Sequence, residues 1–141
     1  MIQKEETKGL AQQEVSKKLV YIAHPISGDI SGNIDKVLKI CREIHTNSNN
    51  IIPSAPYITV LQYLDDNIQE ERRLGFEANK MMFERGGFDE IWLCGEKISS
   101  GMKEEVEWCV ALNIPIVCYN PALVEEYIHF RKTGKWFKED K

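Results

Sequence analysis

The chain has 141 residues, 43% of them hydrophobic and 28% charged, with a formal net charge of −4. That length suits one soluble domain with a core of its own, without disulfide or metal staples. An acidic balance argues against non-specific nucleic-acid binding, which needs a basic surface, but a small anion can still be held by backbone N–H groups.

Residues 1–18 are polar and weakly periodic, a lead-in without the apolar stretch of a signal peptide. No apolar run approaches the ~20 residues that span a bilayer, so no membrane partner is expected and the expected location is cytoplasmic. Four short apolar runs follow: Leu19–Ala23, Ile51–Pro53, Glu90–Cys94 and Pro115–Tyr119. The first, third and fourth show little polar alternation, which suits parallel strands covered on both faces.

Helical patterns separate these runs. Ile34–His45 carries the stripe Ile34, Val37, Leu38, Cys41 and Ile44, with Asn33 or Ser31 as cap and His45 as a structural residue at its end. Strand–helix alternation predicts a three-layer α/β domain, Rossmann- or flavodoxin-like, with a short parallel sheet of four or five strands flanked by helices. It occupies residues 19–131, and residues 132–141 form a polar tail in which Trp136 carries no signal.

The segment Gln69–Arg85 has two apolar sides, Leu74, Ala78 and Met81 on one and Phe76 and Phe83 nearly opposite. One side faces the sheet. The other predicts a homo-oligomer, unless the Tyr57–Leu64 segment covers it. Arg72 and Arg73 open this helix as surface charges or phosphate contacts. Trp92 and Trp108 read as core or interface residues.

The probable helix Met102–Leu112 places Met102, Val106, Cys109 and Leu112 on one side. Glu105 falls inside that stripe, whereas Glu104 and Glu107 face water. An inward carboxylate must be paired, protonated or used. Cys41, Cys94, Cys109 and Cys118 form no C-x-x-C pair or zinc pattern and read as buried hydrophobes in a reducing compartment.

Ligands of such sheets bind where strand carboxyl ends open into loops. Here those are residues 24–29, 54–57, 95–101 and 120–121, so Glu105 should point toward their common mouth. Ser99-Ser100-Gly101 reads either as an anion cradle or as a plain helix cap. His24 can bind a ligand, transfer a proton or make a structural hydrogen bond. Tyr21 can bond a buried carboxylate or simply pack, and spacing does not decide.

The series Val20-Tyr21-Ile22-Ala23-His24-Pro25-Ile26-Ser27-Gly28, Asn33, Pro53, Pro56, Asp89-Glu90-Ile91-Trp92, Ser99–Glu105 and Asn113–Val117 resembles the nucleoside 2-deoxyribosyltransferase superfamily. It looks closest to uncharacterised deoxyribosyltransferase-like domains of bacteria and phages, over roughly residues 19–120. The resemblance implies Glu105 as nucleophile and Tyr21 as its support, the catalytic pair. It implies that Ser99 and the Ser27-Gly28 loop hold a 5′-phosphate. Asn79 falls where the family has a ribose-binding aspartate, with two residues inserted at Gly86-Gly87, and His24 stands where many members carry glycine or another small residue. The expected substrate-binding set is His24, Pro25, Ser27, Gly28, Asn79, Ser99, Ser100, Gly101 and Met102.

The implied activity is cleavage or transfer at the N-glycosidic bond of a deoxynucleoside or deoxynucleotide, with no metal and no cofactor. Two alternatives stand beside it. One is a non-catalytic nucleotide-binding or sensing module. The other is an N-glycosidase of a nicotinamide or cyclic nucleotide.

Overall fold

Four parallel strands, β1 (Lys18–Ala23), β2 (Ile51–Ser54), β3 (Glu90–Leu93) and β4 (Ile116–Cys118), form a sheet of order β2-β1-β3-β4. The coordinates are a computed structural model that describes residues 16–137. The connections carry α1 (Ile30–Asn47), the short α2 (Tyr57–Val60), α3 (Gln69–Glu84) and α4 (Ser100–Leu112), and α5 (Val124–Thr133) follows β4. β1 is central, with Tyr21 opposite Ser54 on one side and Ile91 on the other.

Val20, Tyr21, Ile22 and Ala23 are all fully buried, as a strand covered on both faces requires. Tyr21 and Ala23 pack with Phe83 of α3 and Met102, Val106 and Cys109 of α4. Val20 and Ile22 pack with Val37 and Ile44 of α1. The result is a three-layer α/β fold. Right-handed crossovers account for the split: β1 to β2 steps one way along the sheet, while β2 to β3 and β3 to β4 step the other.

Several local expectations are corrected. The first helix begins at Ile30, with Asp29 as its cap through a 3.2 Å bond from the Gly32 amide. Asn33 instead donates to the Ile26 carbonyl at 3.0 Å, tying the preceding loop to the helix. Only Val37 and Ile44 of the stripe are buried, because a short sheet offers a narrow seat, and Leu38 and His45 lie outside it. Leu112 is likewise exposed, one turn beyond the sheet's cover.

In α3 the sheet-facing side is Asn79 and Phe83, with Phe76 turned onto Trp108. Leu74 and Met81 look outward, 44% and 54% exposed. The Tyr57–Leu64 segment meets α3 at Gly75, where Val60 and Leu64 come close.

Residues 1–15 of the lead-in lie outside the described residues, but Lys18 already pairs in β1 and bonds Glu90 at 2.6 Å. In the tail, Trp136 is far from uninformative. It stacks on Phe130, with ring centroids 4.1 Å apart, and its indole N–H donates to Glu107 of α4 at 3.1 Å. Among the described residues no helix is long and apolar enough to cross a membrane, and all four cysteines are free thiols.

Candidate active site

The strands on either side of the β1–β3 boundary send their connections to opposite faces, which opens a crevice at their carboxyl ends. A cavity of about 490 Å³ occupies it. Its walls are the loop after β1, the end of the loop after β3, the start of α4, α2 with the residues after it, and one side of α3.

Glu105 enters from the second turn of α4. That helix is capped by Ser99, whose Oγ accepts from the Met102 amide at 3.3 Å, while the Met102 sulfur faces the Ser99 amide at 3.4 Å. The cap reading of Ser99 therefore holds, and Ser99 still lines the cavity with Ser100, Gly101 and Met102. A Cβ at Gly101 would meet no atom within 4 Å, so the fold does not demand glycine there.

The Tyr21 hydroxyl donates to Oε2 of Glu105. The Asn79 amide nitrogen donates to the same oxygen at 3.0 Å and to the Tyr21 oxygen at 2.8 Å. Oε1 has no hydrogen-bond partner among the described residues and is not sealed from solvent, so it is the oxygen presented to the cavity. Burial pushes the Glu105 carboxyl up to about 7, against the lowering effect of its two donors. Burial first, then the nearby Glu105 charge, holds the Tyr21 phenol well above its ordinary value, so the shared proton stays on the tyrosine. The unpartnered buried polar side-chain atom among the described residues is Asn79 Oδ1, on a residue only 9% exposed. An acceptor left in that state is costly unless a ligand donor meets it.

His24 and Pro25 line the cavity with Ile26 and Ser27. His24 is 8% exposed, with Nδ1 at 2.7 Å from the Pro25 carbonyl. Gly95 faces this loop at φ +86°, where an added Cβ would lie 2.7 Å from the Pro25 ring, so glycine is needed. The Asn120 amide braces that turn by donating to the Gly95 carbonyl at 2.7 Å. Two loop expectations are thus revised: Asn120-Pro121 acts behind the wall, and Gly28, at φ +96°, shapes the turn into α1 without lining the cavity.

Tyr57, Phe76, Arg72 and Lys97 also line the cavity; Arg72 reads from the sequence as a surface charge or phosphate contact, Tyr57 and Lys97 fall in loops expected at the mouth, and Phe76 was not among the expected site residues. Tyr57 donates to the Ile22 carbonyl at 2.6 Å, locking α2 onto the central strand. Its place in the expected loop after β2, three residues beyond Ser54, was the available signal. Arg73, by contrast, pairs with Glu70 and Glu77 on the helix surface. No group of residues suited to hold a metal ion occurs among the described residues.

Fold and site together define an α/β domain with a carboxylate-bearing cavity at the strand-order switch point. A family model described as a domain of unknown function (DUF7768) matches residues 18–119, and the chain belongs to that family. No curated protein and no solved structure matches it.

Proposed function

We propose that this protein cleaves or transfers at the N-glycosidic bond of a 2-deoxynucleoside or its 5′-monophosphate, with Glu105 as nucleophile. One observation carries the reading: Oε2 of Glu105 is held by Tyr21 and Asn79 while Oε1 is turned into the cavity. Attack of Oε1 on C1′ gives a glycosyl ester as the base leaves, and a second base or water resolves it with retention. An anion beside an oxocarbenium-like transition state lowers its energy. This chemistry requires neither metal nor organic cofactor.

Ser27, Ser99, Ser100 and the free amides that open α4 are suited to the 5′ end of such a substrate, with the Arg72 and Lys97 side chains close by. The unmet Asn79 oxygen suits a sugar hydroxyl. Free thiols fit a cytoplasmic setting, and the exposed Leu74–Met81 row suits burial against a second copy of the chain. Light scattering at micromolar concentration reads that last point, and a monomer would remove it.

The test is incubation with deoxynucleosides and their 5′-monophosphates, scoring free base by chromatography. Base release that depends on Glu105 is the expected result. Release at full rate by Glu105→Ala would end the assignment. A second reading, nucleotide binding without turnover, is favoured by Asn79 standing where the resembled family has an aspartate. Thermal stabilisation by a nucleotide with no base released would select it.

A further inference from the structure

Among the titratable groups lining the cavity, His24 is a proton-transfer group that the Glu105 chemistry leaves unused. His24 follows β1 directly, and its Nδ1 contacts the Pro25 carbonyl at 2.7 Å. A carbonyl only accepts, so Nδ1 carries a hydrogen, and Nε2 is then the nitrogen that can carry or take up the exchangeable proton. Nε2 has no partner among the described residues, and it is not among the sealed polar atoms, where Asn79 Oδ1 stands alone. Among the described residues, the protein satisfies only one of the two nitrogens, through the neighbouring residue, and leaves the other accessible.

The ring is also accommodated by design of the backbone. A Cβ on Gly95 would lie 3.1 Å from both Cδ2 and Nε2, so the imidazole rests against bare glycine backbone and borders the cavity that holds Glu105. Asp66, Arg72 and Lys97 also line the cavity, and several of its other hydroxyl and carboxyl groups are engaged within the protein. The Tyr21 proton is engaged by Glu105, the Tyr57 hydroxyl by the Ile22 carbonyl, and Glu71 accepts from the Asp65 amide.

We propose that His24 is a catalytic residue that gives a proton to the departing base and recovers one from the incoming nucleophile. The proposal rests on the N-glycosidic reading of the site. In the first step Oε1 of Glu105 forms a bond to C1′ as the C1′–N bond breaks. The electron pair of that bond goes to the base, whose ring takes a proton from Nε2–H of the doubly protonated ring. In the second step water attacks C1′, the ester oxygen returns to Glu105 as carboxylate, and the water's proton goes to the Nε2 lone pair. Base and sugar leave neutral, and both residues are restored.

The test compares kcat/KM on the common deoxynucleosides and their monophosphates with that on para-nitrophenyl 2-deoxyriboside, whose leaving group departs without a proton. His24→Asn keeps an N–H for the Pro25 carbonyl but has no Nε2. General acid catalysis predicts that it loses ~10²–10³-fold on the base-leaving substrates and less than about 3-fold on the nitrophenyl glycoside. Glu105→Gln loses both. His24→Gln, which cannot deliver a proton, shows the same split and replaces the asparagine variant if that one does not fold. Equal loss on both substrates, or none, overturns the role of His24 while leaving Glu105 in place. A wild-type protein inert toward both substrate types overturns the underlying reading and this proposal with it.

Discussion

Tyr21, in the middle of the central strand, donates its hydroxyl to Glu105, 84 residues further along the chain. The strand position supplies rigidity, since Tyr21 is fully buried and its ring packs on Phe83 and Phe88 at 4.6 and 5.1 Å between centroids. Tyr21→Phe keeps that packing and removes one donor, leaving Glu105 with Asn79 alone. Unfolding free energy should fall by ~1–2 kcal/mol, the usual cost of stripping a partner from a buried polar group. The Glu105 carboxyl then rises further above about 7, and turnover at neutral pH drops by ~10–100-fold with its profile displaced to higher pH. A pH–rate profile of both proteins checks it.

Glu105 also makes stability depend on pH in a definite direction. Its folded value of about 7 lies above the ordinary 4.5, so the native state holds the proton more tightly than the unfolded chain. The stabilising contribution is complete below about 4.5 and is lost as pH rises toward and through 7. Between pH 5.5 and 8 the wild type should lose ~1–3 kcal/mol from this group, an upper range set by the size of the shift. Glu105→Gln should lack that decline and exceed the wild type at pH 8. Urea unfolding at the two pH values measures both.

Asn79→Asp tests why an amide sits at this position. Asn79 donates to both members of the Tyr21–Glu105 pair, whereas a carboxylate there would donate to neither and repel the second charge. At pH 8 the variant should be less stable by ~2 kcal/mol, and the deficit should shrink at pH 5.5 as one acid takes up a proton. A deficit equal at both pH values would show that charge is not the cause.

Gly101→Ala separates folding from function. The new Cβ meets no protein atom within 4 Å, and alanine is the better helix former, so stability should rise by a few tenths to ~1 kcal/mol. The same methyl group intrudes on the cavity beside Glu105. Melting temperature should rise while turnover or nucleotide affinity falls by ~3–30-fold, a modest steric loss of ~1–2 kcal/mol. Gains in both would mean that the ligand does not approach this turn.

Much of the architecture was legible because burial leaves periodic marks. The apolar run Leu19–Ala23 announced a two-sided strand, and Glu105 stood out as an acid in the Met102–Val106–Cys109 stripe. Stripes say less about how much of a helix the sheet covers. Leu38 and Leu112 fit their helical patterns and still face solvent, since strands of three to six residues bury only a few helical turns. The two sides of α3 were visible as well, but which one faced the sheet depended on where Phe83 and Asn79 came to rest.

Sequence alone determined the strand–helix alternation, the parallel sheet it implies, and an acidic side chain on an apolar helix face, because each follows from local periodicity. Tertiary structure decided which oxygen of Glu105 is held and which is presented, that Asn79 bridges the pair, and that His24 keeps one nitrogen open. It also decided that Trp136 docks on α4. Those facts turn on distances between segments remote in the chain, and hydrogen bonds that short-ranged form only once the strands and helices have brought their side chains together.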